Sequence, residues 1–378
     1  MKITSKITSV LLVMALALSL AACHPKTEYA YTITDKESGK SQGVTTAQYL
    51  YALTNATLEA QDNINNENPD KTIEDYSKYK VVEVDENDKE TKTEYYKWIE
   101  ERALKTVKEY AGSMIKKKAL GLKIDENEQA NIDSYVNMYW QYYYQPIFEK
   151  NGIAVDTYAK MFTASYYQNE YFLSIYDKDG TNPIDEKTIS KTFYDNYALA
   201  DAITISVHEH SEEETEEEHT GMDIKEAKRL LKTYKSRILG GEKFADIFSE
   251  YNKAYGSSEE STGTTDSATV YASDETEDPS EYYTKVKKLK TGDVEIITSE
   301  DESEIVLVQK KKIKDKDETY LTSYRQSVLH QLKGDEFKKD FDKFCDGLKV
   351  EENGFALGRI KAKDIDVTND AAAAQTAQ

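Results

Sequence analysis

Two short runs of branched aliphatic residues constrain this chain most, Ala202-Ile-Thr-Ile-Ser-Val207 and Glu304-Ile-Val-Leu-Val308. Runs of that length and composition suit strands with one or both faces covered. Between them lie one clear helix and long polar loops, and on either side apolar residues recur at helical spacing. The pattern predicts an α+β fold: a small α+β module, Asp201 to Lys312, inserted into a helical body.

The chain has 378 residues, 39% hydrophobic and 31% charged, which is a globular composition with a very polar surface. A net charge of -21 repels phosphate backbones, so nucleic acid is not an expected partner. The 29 Tyr matter because each offers an apolar face and a polar tip, suited to core rims and to adaptable grooves.

Lys2 and Lys6 precede an apolar run from Val10 to Ala22, interrupted by Ser19. It is shorter than the roughly 20 residues that span a bilayer and has the form of a secretory signal. It ends in Leu20-Ala21-Ala22-Cys23, which resembles a bacterial lipobox. That resemblance makes Cys23 the lipidation site, residues 24–28 a short tether and the location extracytoplasmic, with the membrane reached through the lipid. The other cysteine is Cys345, so an acylated Cys23 leaves no intrachain disulfide and packing alone must hold the fold.

Tyr29 to Ile33 reads as a strand, Thr45 caps a helix to about Gln61, and the polar stretch 62–92 reads as a loop. A long helix follows to Leu120, with Ile99, Ala103, Val107, Tyr110 and Met114 on its buried stripe and Gly121 as its stop. Asp125 caps the next, which Pro146 kinks or ends, and Asp156 caps another. Asp185 starts a helix through Ile189, Phe193 and Tyr197, and the last helix runs from about Glu318 to Leu348, with Gly334 as its weak point.

Tyr139, Trp140, Tyr142, Tyr143 and Tyr144 cannot all face one core, because a helix turns about 100° per residue. Tyr139, Trp140, Tyr143, Phe162 and Tyr166 are therefore the candidates for gripping apolar side chains of another polypeptide.

Other chemistry is sparse. His208, His210 and His219 offer imidazoles to a metal, but the glutamates between them favour a solvated, self-repelling loop, and no metal or other cofactor is expected. Asp177-Lys-Asp-Gly180 reads as a helix-ending turn, since a calcium loop places its Gly two positions later. No phosphate-binding glycine loop, G-x-S-x-G or H-E-x-x-H occurs in the chain.

The order of several short motifs resembles a known family. Ala119 to Glu128 looks like the helix junction in the N-terminal domain of the PrsA and SurA type extracytoplasmic foldases, a body also similar to trigger factor. Ile184 to Ile189 and Phe193 to Tyr197 are similar to their run into a parvulin-type prolyl isomerase domain. Ala227 to Gly241, Glu242 to Asp246 and Leu289 to Val294 resemble that domain's first helix, the start of its next segment and the turn before its last strand.

The resemblance implies a signal peptide (1–22), a lipidated tether and first strand (23–44), a helical chaperone-like domain (45–200) and a degenerate parvulin-like domain (201–312). A C-terminal helix packing on the helical domain (313–350) and an extension with a loose tail (351–378) complete it. Parvulins place one His in their first strand and one in their last; those positions fall near Thr204 and Ile305, and neither is His. The implied function is a membrane-anchored foldase that binds unfolded secreted polypeptides with weak or no isomerase activity. An active isomerase with an unusual pocket and a non-catalytic surface lipoprotein that binds a ligand or scaffolds an assembly are the alternatives. The oligomeric state is open.

Overall fold

The computed structural model describes residues 28–84, 89–208, 222–255, 267–276, 279–313 and 317–368. The chain divides into two units: one takes the residues up to Ser174 and those from Phe337 onward, the other takes Ile175 to Glu336. The architecture is mixed α+β, a helical body into whose sequence a β-rich domain is inserted.

In the first unit, β1 (Tyr29–Thr34) turns back into β2 (Ser41–Thr45). Asp35 shapes the turn by accepting from the N–H groups of Glu37 and Ser38 at 3.0 and 3.3 Å, and Gly39 supplies the left-handed φ of 66°. Helix α1 (Thr46–Asn66) starts on a capping box: Gln48 N donates to Thr45 Oγ1 at 3.2 Å, and Thr45 N donates to Gln48 Oε1 at 2.9 Å.

The stretch 62–92 is a loop over residues 67–79, turns and coil around a short 3₁₀ turn at Tyr76–Lys78; its helical and strand parts correct that expectation. It extends α1 and then forms a hairpin, β3 (Lys80–Val84) and β4 (Glu90–Glu94), in register from Lys80↔Glu94 to Val84↔Glu90. Val81 is the hairpin's one buried residue. Asn63 anchors it by donating to Val82 O at 2.7 Å and accepting from Val82 N at 3.1 Å. A strand pair held this way needs no apolar alternation, which is why the sequence carries none.

Helix α2 (Tyr95–Leu120) buries Ile99, Ala103, Val107, Ala111 and Ile115 in one core with Ala52, Leu53, Ala56 and Ala60 of α1. Alanines at such a contact let two helix axes approach closely. Helix α3 (Glu126–Tyr139), capped by Asp125, runs into a wide π turn over Trp140–Tyr144 and then into α4 (Gln145–Lys150). Pro146 has no N–H to give the ladder and its ring crowds the carbonyl four residues back; the widened turn, in which Gln145 N reaches Trp140 O, accommodates it. Helix α5 (Val155–Tyr176) then carries the chain into the second unit.

There α6 (Glu186–Asn196) is capped by Asp185, whose carboxylate accepts from Lys187 N and Thr188 N at 3.1 and 3.0 Å. Tyr197, expected on this helix, instead opens β5 (Tyr197–His208). The remaining elements are β6 (Met222–Asp223), α7 (Ile224–Leu239), α8 (Phe244–Tyr255), β7 (Ala268–Ala272), α9 (Tyr283–Lys288), β8 (Val294–Thr298) and β9 (Glu304–Lys311). Two strands, not one, follow the Leu289–Val294 turn.

One edge of β5 pairs antiparallel with β9, and β8 continues beyond it; the other edge is shared by β7, antiparallel, and β6, parallel. Alternation gives the sheet two covered faces. Ile203, Ile205, Ile305 and Leu307 pack with α7 and α8, while Ala198, Ala200, Ala202, Val306 and Val308 pack with Tyr271, Tyr282 and Val286.

Helix α10 (Asp317–Gly347) begins in the second unit, runs through Gly334 without a break and ends in the first. Its Arg325 holds Asp177, the residue after the end of α5, at 2.7 Å and Glu186 at 2.6 Å. In the first unit, Phe341 and Cys345 come so close to α2 that a Cβ at Gly112 would stand 2.7 Å from Cys345 Sγ. Strand β10 (Lys349–Glu352) then pairs with β1 from Thr34↔Lys349 to Tyr31↔Glu352, completing a β10-β1-β2 sheet.

After α11 (Gly354–Leu357) the chain stays docked to Thr368. Asn151 Nδ2 donates to Asp366 O at 2.7 Å, Asp366 N donates to Asn151 Oδ1 at 3.0 Å, and Lys150 pairs with the Asp366 carboxylate at 2.8 Å. Among the described residues, no helix is long and apolar enough to cross a membrane. The signal segment and Cys23 lie outside the described residues.

Candidate functional site

A groove of about 570 Å³ opens in the first unit, lined by Tyr51, Asn55, Tyr135, Tyr139, Tyr144, Tyr158, Phe162 and Tyr166. Seven of these eight residues are aromatic and none is charged. Three helices and the π turn assemble the lining. Tyr51 and Asn55 are one turn apart on α1, Tyr135 and Tyr139 one turn apart on α3, and Tyr158, Phe162 and Tyr166 successive turns on α5.

The rings support one another. Tyr158 to Phe162 and Phe162 to Tyr166 are each 5.8 Å between centroids, and Tyr139 reaches across to Phe162 at 6.3 Å. Tyr144 lies nearly parallel to Phe148 at 5.2 Å. Such contacts fix ring orientations that a single exposed aromatic would lack.

The π turn decides which aromatics of the 139–144 run face where. Trp140 is buried beneath the groove, against Phe148 at 6.0 Å and Tyr158 at 5.9 Å. Tyr144 enters the lining, while Tyr142 and Tyr143 point outward, 77% and 62% exposed. Of the five candidates, Tyr139, Phe162 and Tyr166 line the groove, Trp140 underlies it, and Tyr143 touches its rim through Tyr139 at 6.0 Å. Tyr51, Asn55, Tyr135 and Tyr158 belong to the lining without having stood out as site residues. Tyr51 comes from a helix distant in sequence, and Tyr135 and Tyr158 sit in ordinary amphipathic stripes.

Burial pushes the Tyr51 hydroxyl up to about 12 and raises those of Tyr158 and Tyr166 as well. With no acidic or basic side chain in the lining, the groove offers apolar ring faces with hydroxyl tips, able to hold an apolar side chain but carrying no nucleophile or general base.

In the second unit, Thr204 pairs with Val306 and Ile305 pairs with Ile205, so Thr204 and Ile305 point to opposite faces of the sheet. Ile305 is fully buried among α7 and α8 residues, whereas Thr204 is exposed. On the Val306 face, Tyr271, Tyr282 and Val286 fill the space over the strands, and Tyr282 donates to Glu304 Oε2 at 3.2 Å. No group of His, Cys, Asp or Glu suited to a metal occurs among the described residues. His210 and His219 lie outside them, as does the side chain of His208.

No protein-family model and no curated protein matches the chain. Among solved structures it is similar to the foldase protein PrsA of Streptococcus pneumoniae str. Canada MDR_19A, at 15% identity and a TM-score of 0.36, covering 77% of this chain and 96% of that one. The foldase protein PrsA of Lactococcus lactis matches at 16% identity and a TM-score of 0.36, over 67% of this chain and 86% of that one. PrsA of Bacillus subtilis matches at 16% identity and a TM-score of 0.34, over 68% and 88%.

Proposed function

We propose that this chain is an extracytoplasmic chaperone of the foldase type, tethered to the membrane by a lipid on Cys23, that captures unfolded segments of secreted proteins in the aromatic groove. The inserted domain is read as a parvulin-like scaffold with weak or no isomerase activity. The observation that carries the reading is the groove lining: seven rings, one amide and no charge. Aromatic faces take many apolar side chains without a matched polar pattern, which suits a site that must accept unrelated clients. Nothing in it requires nucleotide energy; capture and release follow from modest affinity.

The reading of the inserted domain rests on its sheet. A prolyl isomerase must lower a barrier of about 18–20 kcal/mol by surrounding the twisting amide with polar groups beside an apolar proline pocket. Here the two positions in question carry Thr204 and Ile305, which face apart, and tyrosine rings cover the Val306 face. Suppression of aggregation of a chemically denatured model protein tests the first part, and turnover of a proline-containing peptide tests the second. The purified chain should hold the model protein in solution and leave the peptide's slow isomerisation essentially uncatalysed. Efficient peptide turnover would overturn the scaffold reading, and unimpeded aggregation would overturn the chaperone reading.

A further inference from the structure

The groove is not electrically even along its length. On α5, Phe162, Tyr166 and Glu170 follow one another at four-residue steps on one face. On α3, Tyr139 and Tyr135 line the groove and Glu128 lies two turns before Tyr135, on the same side. Both helical walls therefore run from rings to a carboxylate at the end nearest Tyr166, and Asp125, the α3 cap, adds a third. Glu128 acts electrostatically on both Tyr166 and Glu170, which places the carboxylates at one end. Neither Glu128 nor Glu170 is paired with a cation among the described residues. Burial first, and then neighbouring carboxylates, hold both above their ordinary range.

From this geometry we infer that the groove selects polypeptide segments in which an Arg or Lys stands at a short spacing from an apolar side chain. The inference rests on the groove being the client site and names what it prefers. Two features would favour the cation: two partly buried carboxylates with no positive partner, and the negative faces of the rings leading to them. The spacing follows from the helix. Glu170 lies four residues beyond Tyr166, about 6 Å along α5, which an extended chain covers in about two residues.

The test uses the full chain and three short fluorescein-labelled peptides, alike in apolar core, with Arg, Gln or Glu two residues beyond it. Anisotropy titrations should rank them Arg, then Gln, then Glu, with roughly a five- to tenfold spread that shrinks with added salt. In Glu128→Gln/Glu170→Gln the three affinities should converge, and Glu128→Lys/Glu170→Lys should invert their order, which misfolding alone does not do. Equal affinities for the Arg and Glu peptides, with binding abolished by Phe162→Ala/Tyr166→Ala, would overturn the charge preference and leave the capture reading standing. If none of the peptides binds, both fall.

Discussion

At Gly112 the absent side chain lets α2 and the end of α10 close on each other, with Cys345 Sγ where a Cβ would need to go. Gly112→Ala should therefore destabilise the first unit by about 1–3 kcal/mol through overpacking, although Ala is the better helix former by about 1 kcal/mol. Urea denaturation measures it. Burial pushes the Cys345 thiol from its ordinary 9 up to about 12 and the Tyr51 hydroxyl from 10 to about 12. The folded chain keeps these protons at a pH where the unfolded chain has released them. Their contribution is thus complete below about pH 9 and is lost as pH rises toward 12. The urea midpoint should fall between about pH 8 and about pH 11, and less so in a Cys345→Ala variant; a midpoint with the same alkaline slope in both would contradict the assignment of that loss to Cys345. In the second unit the two faces of the β5–β9 sheet make opposite forecasts. Ile305→His puts an imidazole among apolar side chains and should cost about 2–4 kcal/mol, whereas Thr204→His, on an exposed position, should cost less than about 0.5. Near-equal losses in thermal denaturation would show the register to be wrong.

The π turn is the element on which the groove depends. It brings Tyr144 into the lining and buries Trp140 beneath it, while Tyr142 and Tyr143 stay outside. Removing the cause of the widening, by Pro146→Ala, should leave the fold at least as stable yet weaken peptide binding severalfold and change the near-UV circular dichroism of the tyrosines. A variant with unaltered binding and spectrum would separate the turn from the site. The same turn shows where the sequence stops being legible. The apolar stripe of α2 announces its helix, face and end, because local periodicity and Gly121 suffice. Pro146 announces a disturbance but not its form, since a kink, a helix end and a π turn all relieve the same clash. The hairpin β3–β4 is silent because it buries Val81 alone and hangs on Asn63, a contact invisible to local pattern. Strand β10 is silent because Lys349-Val-Glu-Glu352 has one apolar residue and its partner, β1, is near the other end of the described chain. For the groove, adjacent aromatics on one helix are conspicuous, whereas Tyr51 and Asn55 arrive through tertiary packing that spacing does not reveal.

On the scale of the whole chain, the first unit is discontinuous: the residues before Ser174 need those after Phe337 to finish a core and a sheet. Phe341 and Cys345 fill space over α2, β10 adds the third strand to β1 and β2, and the Asp366 segment is fastened to Asn151 and Lys150. Ending the chain at Leu348 should expose the β1 edge, lower the thermal midpoint of the first unit by several degrees and speed its proteolysis; an unchanged midpoint would make β10 and the docked segment accessory. The claim on which the functional account turns is capture by the aromatic groove, and light scattering of a denatured model protein diluted into buffer tests it most directly. The native chain at equimolar ratio should hold scattering well below that of the model protein alone. Tyr139→Ala/Phe162→Ala/Tyr166→Ala, with native circular dichroism, should lose most of that protection, while Thr204→His should keep it. A triple variant that protects as well as the native chain would contradict the account.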